Sequence, residues 1–348
     1  MPKIAIFGAG AFGKIFYQAL GGEVNFFIDD FSMNKDCLDI PIKKTIDVEK
    51  ETIIYISVLQ FSKRIEDDLI KNKFLNVINF TNSIKTIPNI LNEISKTNYL
   101  WLVKDHSKML DDRLYQVKKI LKDTKSKEVL EKIIMLRKTL DSHYYIDPYD
   151  KEYFPSDVPI LENISSMNFV DCGAYTGDSI KDLMFYHTNI NYCLSFEPDT
   201  KNLNKLHEQL QKLNQRHPKT NFFVYPAGVY SSNTILSFSN IGIDSSACFS
   251  ENSDTYIPVV TLDSVILNSH PTYIKMDIEG AEKEAILGAT QTIQKYKPNL
   301  AICLYHKPED LWEIPLLIHQ IEPSYDMYLR VHEDMCLSTV LYCIKKEI

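Results

Sequence analysis

Glycine is scarce in this sequence: 11 occur in 348 residues, where average usage of about 7% would place roughly 24. They are also clustered, with Gly8, Gly10, Gly13, Gly21 and Gly22 at the start and none from there to Gly173. A chain with so few glycines keeps them where the backbone demands them, at left-handed turns or close approaches to a ligand. Long apolar runs are missing too. None approaches the roughly 18 residues of a spanning helix, so no membrane span is expected. The opening MPKIAIFGAGAFGK has Lys3 but no compact apolar run, and its glycine-rich strand-turn pattern does not read as a secretory signal. Paired cysteines are absent: the seven are scattered with no C-x-x-C, which excludes a disulfide framework and a cysteine zinc site and points to a reducing compartment, the cytoplasm. Positive charge is not in excess either. A net charge of -8 argues against broad contact with nucleic acid or anionic membrane, and the lysines of 118–127, broken by Asp123 and followed by Glu128, read as a solvated helix face.

What is present is strand and helix alternation, twice over. In residues 1–95, KIAIFG, VNFFID, TIIYISVL and NVINF read as strands with helical stretches between them, a doubly wound, Rossmann-like domain of nucleotide-binding type. Residues 96–160 read as a helical connector, with apolar positions at helical spacing in VLEKIIMLRKTL, and as a surface through which copies of the chain could assemble. Residues 161–348 restart the alternation through NFVDC, YCLSFE, NFFVYP, TYIKMD and LAICLY and end on DMYLRV and TVLYCI, an antiparallel hairpin. The fold class expected is therefore α/β with two doubly wound sheets. In such sheets ligands sit at the carboxyl ends of strands where strand order reverses.

The first glycine cluster is a G-x-G-x-x-G of Gly8, Gly10 and Gly13 between a strand and a helix, with Asp29 at the end of the next strand. That context suits a pyrophosphate at a helix N-terminus and a carboxylate on ribose hydroxyls, and equally a turn kept for packing. The second cluster, Asp171-Cys172-Gly173-Ala174-Tyr175-Thr176-Gly177-Asp178, lacks the pyrophosphate pattern. It suits a ligand without phosphates such as S-adenosylmethionine, its ribose diol held by Glu197, which ends the following strand beside Pro198.

A third motif follows the fourth strand of this half: Lys275-Met276-Asp277-Ile278-Glu279-Gly280-Ala281-Glu282. With FVDCGAYTGDS, SFEPD, TLDSV, LGA and LYHKPEDLWEIP in order around it, the chain resembles the FkbM family of S-adenosylmethionine-dependent methyltransferases over about residues 125–345. The generic methyltransferase loop often has a glycine where Tyr175 sits, and the tyrosine departs from it. The resemblance implies methyl transfer from S-adenosylmethionine to an oxygen nucleophile, a hydroxyl of a carbohydrate-type acceptor free or linked to a nucleotide. In-line alignment of the reactants supplies much of such an acceleration, and a base or a metal must help the hydroxyl lose its proton.

Asp277 and His306 end the fourth and fifth strands, and two roles stay open for them: a pair holding a divalent metal, or His306 as general base with its ordinary pKa near 6.5. Glu279 is a candidate to face the acceptor, although acids beginning a helix, as Glu279 and Glu282 do, are favoured by its dipole whatever the function. Ala227 and Gly228 are candidates to line the adenine, Ser245 and Ser246 to sit in a covering loop, and Tyr153 is expected to pack rather than bind. Two other classes stay open: an NAD(P)-dependent sugar-nucleotide oxidoreductase or epimerase using the first cluster, and a non-catalytic binding protein.

Overall fold

The computed structural model describes residues 2–59, 61–94, 111–239, 248–249, 255–266 and 269–346. Ser245, Ser246, residue 95 and residues 96–110 of the expected connector lie outside the described residues. The chain divides into two compact units: Met1–Lys108 with Glu131–Pro148 and Glu333–Leu337, and Met109–Leu130 with Tyr149–His332 and Ser338–Ile348. Residues 96–160 are thus shared between the two units rather than forming one of their own.

Unit 1 runs β1 (Ile4–Phe7), α1 (Ala11–Ala19), β2 (Phe26–Ile28), β3 (Asp36–Cys37), β4 (Ile40–Lys43), β5 (Ile53–Ile56), α2 (Ser62–Lys71), β6 (Asn76–Ile78), α3 (Phe80–Thr86) and α4 (Ile90–Ile94). The sheet order is β3-β4-β2-β1-β5-β6, parallel except for the β3–β4 hairpin. Order reverses at β1, so the crevice opens beyond its carboxyl end, where the first glycine cluster lies. Ala5, Phe26, Ile28, Ile54 and Ile56 form the core on one face of this sheet. The β3–β4 hairpin was not expected from the sequence. Its turn, Leu38-Asp39, has both residues left-handed (φ 54° and 61°) without the Asn or Gly that announces such a turn.

α5 (Asp111–Ile120) and α6 (Thr124–Thr139) follow. α6 buries Val129, Leu130, Ile133 and Leu136, the helical spacing read in the sequence.

Unit 2 then runs β7 (Met167–Cys172), α7 (Asp178–Tyr186), β8 (Ile190–Phe196), α8 (Thr200–Arg216), β9 (Asn221–Tyr225), β10 (Gly228–Val229), β11 (Thr234–Ser239), β12 (Cys248–Phe249), β13 (Thr255–Val260), α9 (Leu262–Val265), β14 (Tyr273–Met276), α10 (Glu282–Leu287), α11 (Thr290–Tyr296), β15 (Asn299–Cys303), α12 (Asp310–Ile321), β16 (Tyr325–Val331) and β17 (Thr339–Lys345). Its main sheet has the order β16-β17-β15-β14-β7-β8-β9. β7, β8, β9, β14 and β15 are parallel, and β16 and β17 antiparallel, as the alternation implied. The short runs between β9 and β14 form a separate sheet, β10-β13-β11-β12. β14 and β15 are buried at every residue, which is why both read as unbroken apolar strands apart from Lys275 and Asn299. α8 is capped by Asp199, whose carboxylate accepts from the backbone N–H of Lys201 and Asn202, and it buries Leu206, Leu210 and Leu213 on one face. Among the described residues no helix is long and apolar enough to cross a membrane.

His332, just past β16, ties this unit's stability to pH. Its Nδ1 lies 3.0 Å from the Tyr149 carbonyl oxygen and its Nε2 2.8 Å from the Tyr342 hydroxyl. Burial, with the Arg330 charge added, pushes its pKa down to about 4 against the bond to Tyr149. The unfolded chain takes up this proton near pH 6.5, so the stability is complete above that and is lost as pH falls toward 4, at up to about 1.4 kcal/mol per pH unit. Thermal melts from pH 8 to 4 are expected to show the loss, and His332→Gln to flatten that part of the profile. A variant profile parallel to the wild type contradicts this account of His332.

Candidate active site

The order of the main sheet reverses at β7, between β8 and β14. The loop from Gly173 to Gly177 is built there. Gly173 has φ +79°, and a Cβ on it would fall 1.9 Å from the backbone oxygen of Asp277, so the loop and the end of β14 touch through their backbones. The N–H groups of Gly173 and Ala174 both donate to the Phe196 carbonyl at the end of β8. Beneath the loop, Lys275 Nζ donates to the Gly173 oxygen at 2.7 Å and lies 3.2 Å from Asp171 Oδ1. Ser179 Oγ donates to Asp171 Oδ2 at 2.6 Å. Burial alone would lower the Lys275 pKa, but Asp171 and Asp277 outweigh it and hold Lys275 above its ordinary value, charged. Asp171 is 0% exposed. It was expected to touch a cofactor, but the structure sets it behind the loop, where it holds Lys275 and through it Gly173.

The remaining loop residues divide by exposure. Ala174 and Gly177 are buried, Gly173 and Thr176 half-buried, Tyr175 and Asp178 exposed. Tyr175 has φ +47°, the left-handed backbone that explains a glycine at this place in the generic loop. Glu197 is buried at the end of β8. Its Oε2 accepts from the Tyr175 N–H and its Oε1 from the Asp199 N–H, both at 2.9 Å, with Asn202 Nδ2 farther at 3.5 Å. Burial lifts its pKa above the usual carboxylate value, against those backbone donors. Pro198 separates Glu197 from the Asp199 cap. Ala227 and Gly228 are buried beyond β9, with the Ala227 N–H donating to the Tyr225 oxygen, which also accepts from the Glu197 N–H.

Beside the loop lies a charged cluster. Tyr153 donates its hydroxyl to Asp277 Oδ2 at 2.8 Å and Tyr305 to Oδ1 at 3.1 Å. Burial and the Asp277 charge keep both hydroxyls protonated, well above their ordinary pKa. Burial would raise Asp277, but Lys275, His306 and the two hydroxyls overcome it and hold this carboxyl below its ordinary value. His306 Nδ1 lies 2.9 Å from Glu282 Oε1, and its Nε2 lies 3.4 Å from Asp277 Oδ1 and 3.6 Å from Glu279 Oε2. Burial lowers the His306 pKa, yet Glu282, Glu279 and Asp277 together raise it to about 10. The general-base role expected of His306 meets an obstacle here: three carboxylates around the ring favour its protonated form, which has no lone pair to take a proton. Glu282 opens α10 and is fully buried, with its Oε1 accepting from the Ile278 N–H. Glu279 precedes the helix in a left-handed conformation (φ 57°) with its side chain 39% exposed. Behind them Asp310 is pushed up to about 7 by burial and by Glu282.

Sequence reasoning passed over Lys275 and Tyr305, and it gave Tyr153 a packing role only. Lys275 carried a signal: a lysine in a strand otherwise wholly apolar must find a buried partner. Tyr153 does pack, at 7% exposure, and it also fixes Asp277.

The first glycine cluster stands in unit 1. Gly8 has φ +104°, and a Cβ on Gly13 would fall 2.1 Å from the Gly8 oxygen, so these two glycines shape the turn and bring α1 against β1. Gly10 caps α1 and lines a cavity of about 460 Å³ together with Lys14, Asp29, Phe31 and Cys37. Asp29 closes its own loop, accepting from the N–H groups of Phe31 and Ser32 and, at 3.4 Å, of Ala9.

Residues 171–331 match the methyltransferase FkbM domain. The fold is similar to that of the methyltransferase FkbM from Methylobacillus flagellatus KT, at 23% identity and a TM-score of 0.72 over 98% of this chain and 90% of that one. Two more distant structures, an rRNA methylase from Streptococcus thermophilus and a precorrin-6y C5,15-methyltransferase from Geobacter metallireducens GS-15, cover 52% and 58% of this chain and 88% and 94% of their own. They are 12% and 9% identical to it, at TM-scores of 0.32 and 0.34. A comparison with curated proteins gives no match.

Proposed function

We propose that this chain, whose residues 171–331 match the methyltransferase FkbM domain, is an O-methyltransferase of that family acting on a hydroxyl of a carbohydrate-type or related small-molecule acceptor. One observation supports this reading above the others. The Gly173 loop and the Asp277 segment meet backbone to backbone, so a group lying on the loop has the cluster of Asp277, Glu279 and His306 as its neighbour.

The donor fits the residues present. Glu197 is a buried carboxyl whose oxygens each accept a short backbone N–H bond and keep further acceptor capacity for a diol. The loop in front of it carries no side chain at Gly173. Bound there, S-adenosylmethionine supplies an electrophilic methyl group. The chain's own part is orientation and proton handling. Lys275 and Asp171 fix the loop from below. Tyr153, Tyr305 and His306 fix Asp277, which accepts a hydrogen bond from a hydroxyl of the acceptor next to the reacting one. Glu279, the more exposed carboxylate of the cluster, takes the hydroxyl proton, with His306 Nε2 3.6 Å from its Oε2 to orient it. Its left-handed backbone, costly for a residue with a side chain, belongs with such a role.

The test is transfer of labelled methyl from S-adenosylmethionine to a panel of monosaccharides, oligosaccharides and sugar nucleotides. Label in a base-stable ether is expected, with Glu279→Gln lowering kcat by roughly 10²–10⁴ and leaving S-adenosylhomocysteine affinity unchanged. Label confined to nitrogen or carbon acceptors, or a full kcat in the variant, refutes the reading.

The unit 1 cavity supports a second ligand, a nucleotide or sugar nucleotide, since its volume is ordinary for such a site and Gly10, Lys14 and Asp29 line it. A nucleoside diphosphate is expected to raise the melting temperature of the wild type and not of Asp29→Ala; equal shifts in both would argue against it.

A further inference from the structure

We infer that Asp277, Glu282 and His306 bind one divalent cation through mixed oxygen and nitrogen ligands. Each of the three offers a ligand atom, and these atoms lie within 4.8 Å of one another. Ligand atoms at about 2.0–2.2 Å from a shared ion are separated by roughly 3–4 Å; the imidazole faces Glu282 with Nδ1 and Asp277 with Nε2, so closure brings one carboxylate round to the nitrogen that the other already faces.

A second observation comes from Glu282. The residue is 0% exposed, and while Oε1 accepts from the Ile278 N–H, Oε2 has no hydrogen-bond partner among the described residues. A carboxylate oxygen left unpartnered inside a protein is costly and calls for something positive beside it. Asp277 is prepared from outside as metal-binding carboxylates are: the hydroxyls of Tyr153 and Tyr305 bond to it and hold its plane. Its side chain is 23% exposed, so one side of the cluster opens to solvent and leaves coordination positions for water or an acceptor oxygen. Two carboxylates with one imidazole and no thiolate select ions such as Mn²⁺ or Mg²⁺ over soft metals. Binding exchanges the imidazole proton for the ion, as any histidine ligand requires.

The ion's presence stands on these residues alone. Its further role, gathering the acceptor oxygen beside Glu279, rests on the proposed function.

The experiment titrates Mn²⁺ into the chelator-treated full chain and follows the free-ion signal by electron paramagnetic resonance. One Mn²⁺ per chain is expected, weakened at least tenfold in Glu282→Gln and in Asp277→Asn, the half-exposed Asp277 guarding against a buried variant that fails to fold. No binding at millimolar Mn²⁺, or equal binding by wild type and a folded Asp277→Asn, overturns the site. Methyl transfer measured in parallel separates the two ideas. Transfer that survives chelation without Mn²⁺ binding removes the ion and keeps the enzyme; stoichiometric Mn²⁺ without hydroxyl methylation keeps the ion and removes the acceptor reading.

Discussion

Gly173→Ala is expected to lose at least a hundredfold in kcat/KM and to melt at a lower temperature than the wild type. The new methyl carbon would stand 1.9 Å from the Asp277 oxygen and 2.9 Å from its carbonyl carbon, and both are backbone, so nothing can rotate away. The loop itself must move. Left-handed backbone adds about 1–2 kcal/mol for any residue with a Cβ, and a displacement near 1 Å between two reacting groups costs on the order of a hundredfold in rate. Steady-state kinetics and thermal unfolding check both halves. Near-wild-type turnover in this variant would mean that the loop and the Asp277 segment need not touch.

The second large effect belongs to Lys275. Lys275→Met leaves Asp171, which has no exposed surface, without its cation, and removes the donor that holds the Gly173 carbonyl. Stripping one partner from a buried pair costs about 3–5 kcal/mol, whereas removing both charges costs far less. Denaturant unfolding should therefore show a severe loss in Lys275→Met that Asp171→Asn partly restores in the double variant. A single variant within about 1 kcal/mol of wild type would show that this pair does not carry the loop.

These two effects also mark where sequence reading succeeded and where it stopped. The strands of the main sheets were legible because each is an apolar run bounded by a turn, and the glycine loop, Glu197 and the Asp277 segment were placed by their position after strands. The β3–β4 hairpin was not, since Leu38-Asp39 lacks the Asn-Gly or Asp-Gly pair that marks such a turn. Nor could position after a strand tell which way a carboxylate points. Asp171 and Glu197 read alike in the sequence, yet Asp171 is sealed under the loop with Lys275 while Glu197 accepts bonds from the loop itself. His306 shows the same limit for charge. Its place at the end of β15 was legible, but its pKa is set by Glu282, Glu279 and Asp277 meeting around one ring, and only the packed fold brings them there. The scarce glycines kept their meaning: Gly13 and Gly173 stand where a Cβ would strike backbone.

The account rests on the methyl donor lying at the Gly173 loop with Glu197 on its ribose. Isothermal titration of S-adenosylhomocysteine into the wild type and Glu197→Ala tests this directly. Each hydrogen bond to a charged carboxylate contributes about 1.5–3 kcal/mol, so the account predicts one molecule bound per wild-type chain and an affinity at least tenfold weaker in the variant. No binding to the wild type, or the same dissociation constant in both proteins, would contradict it.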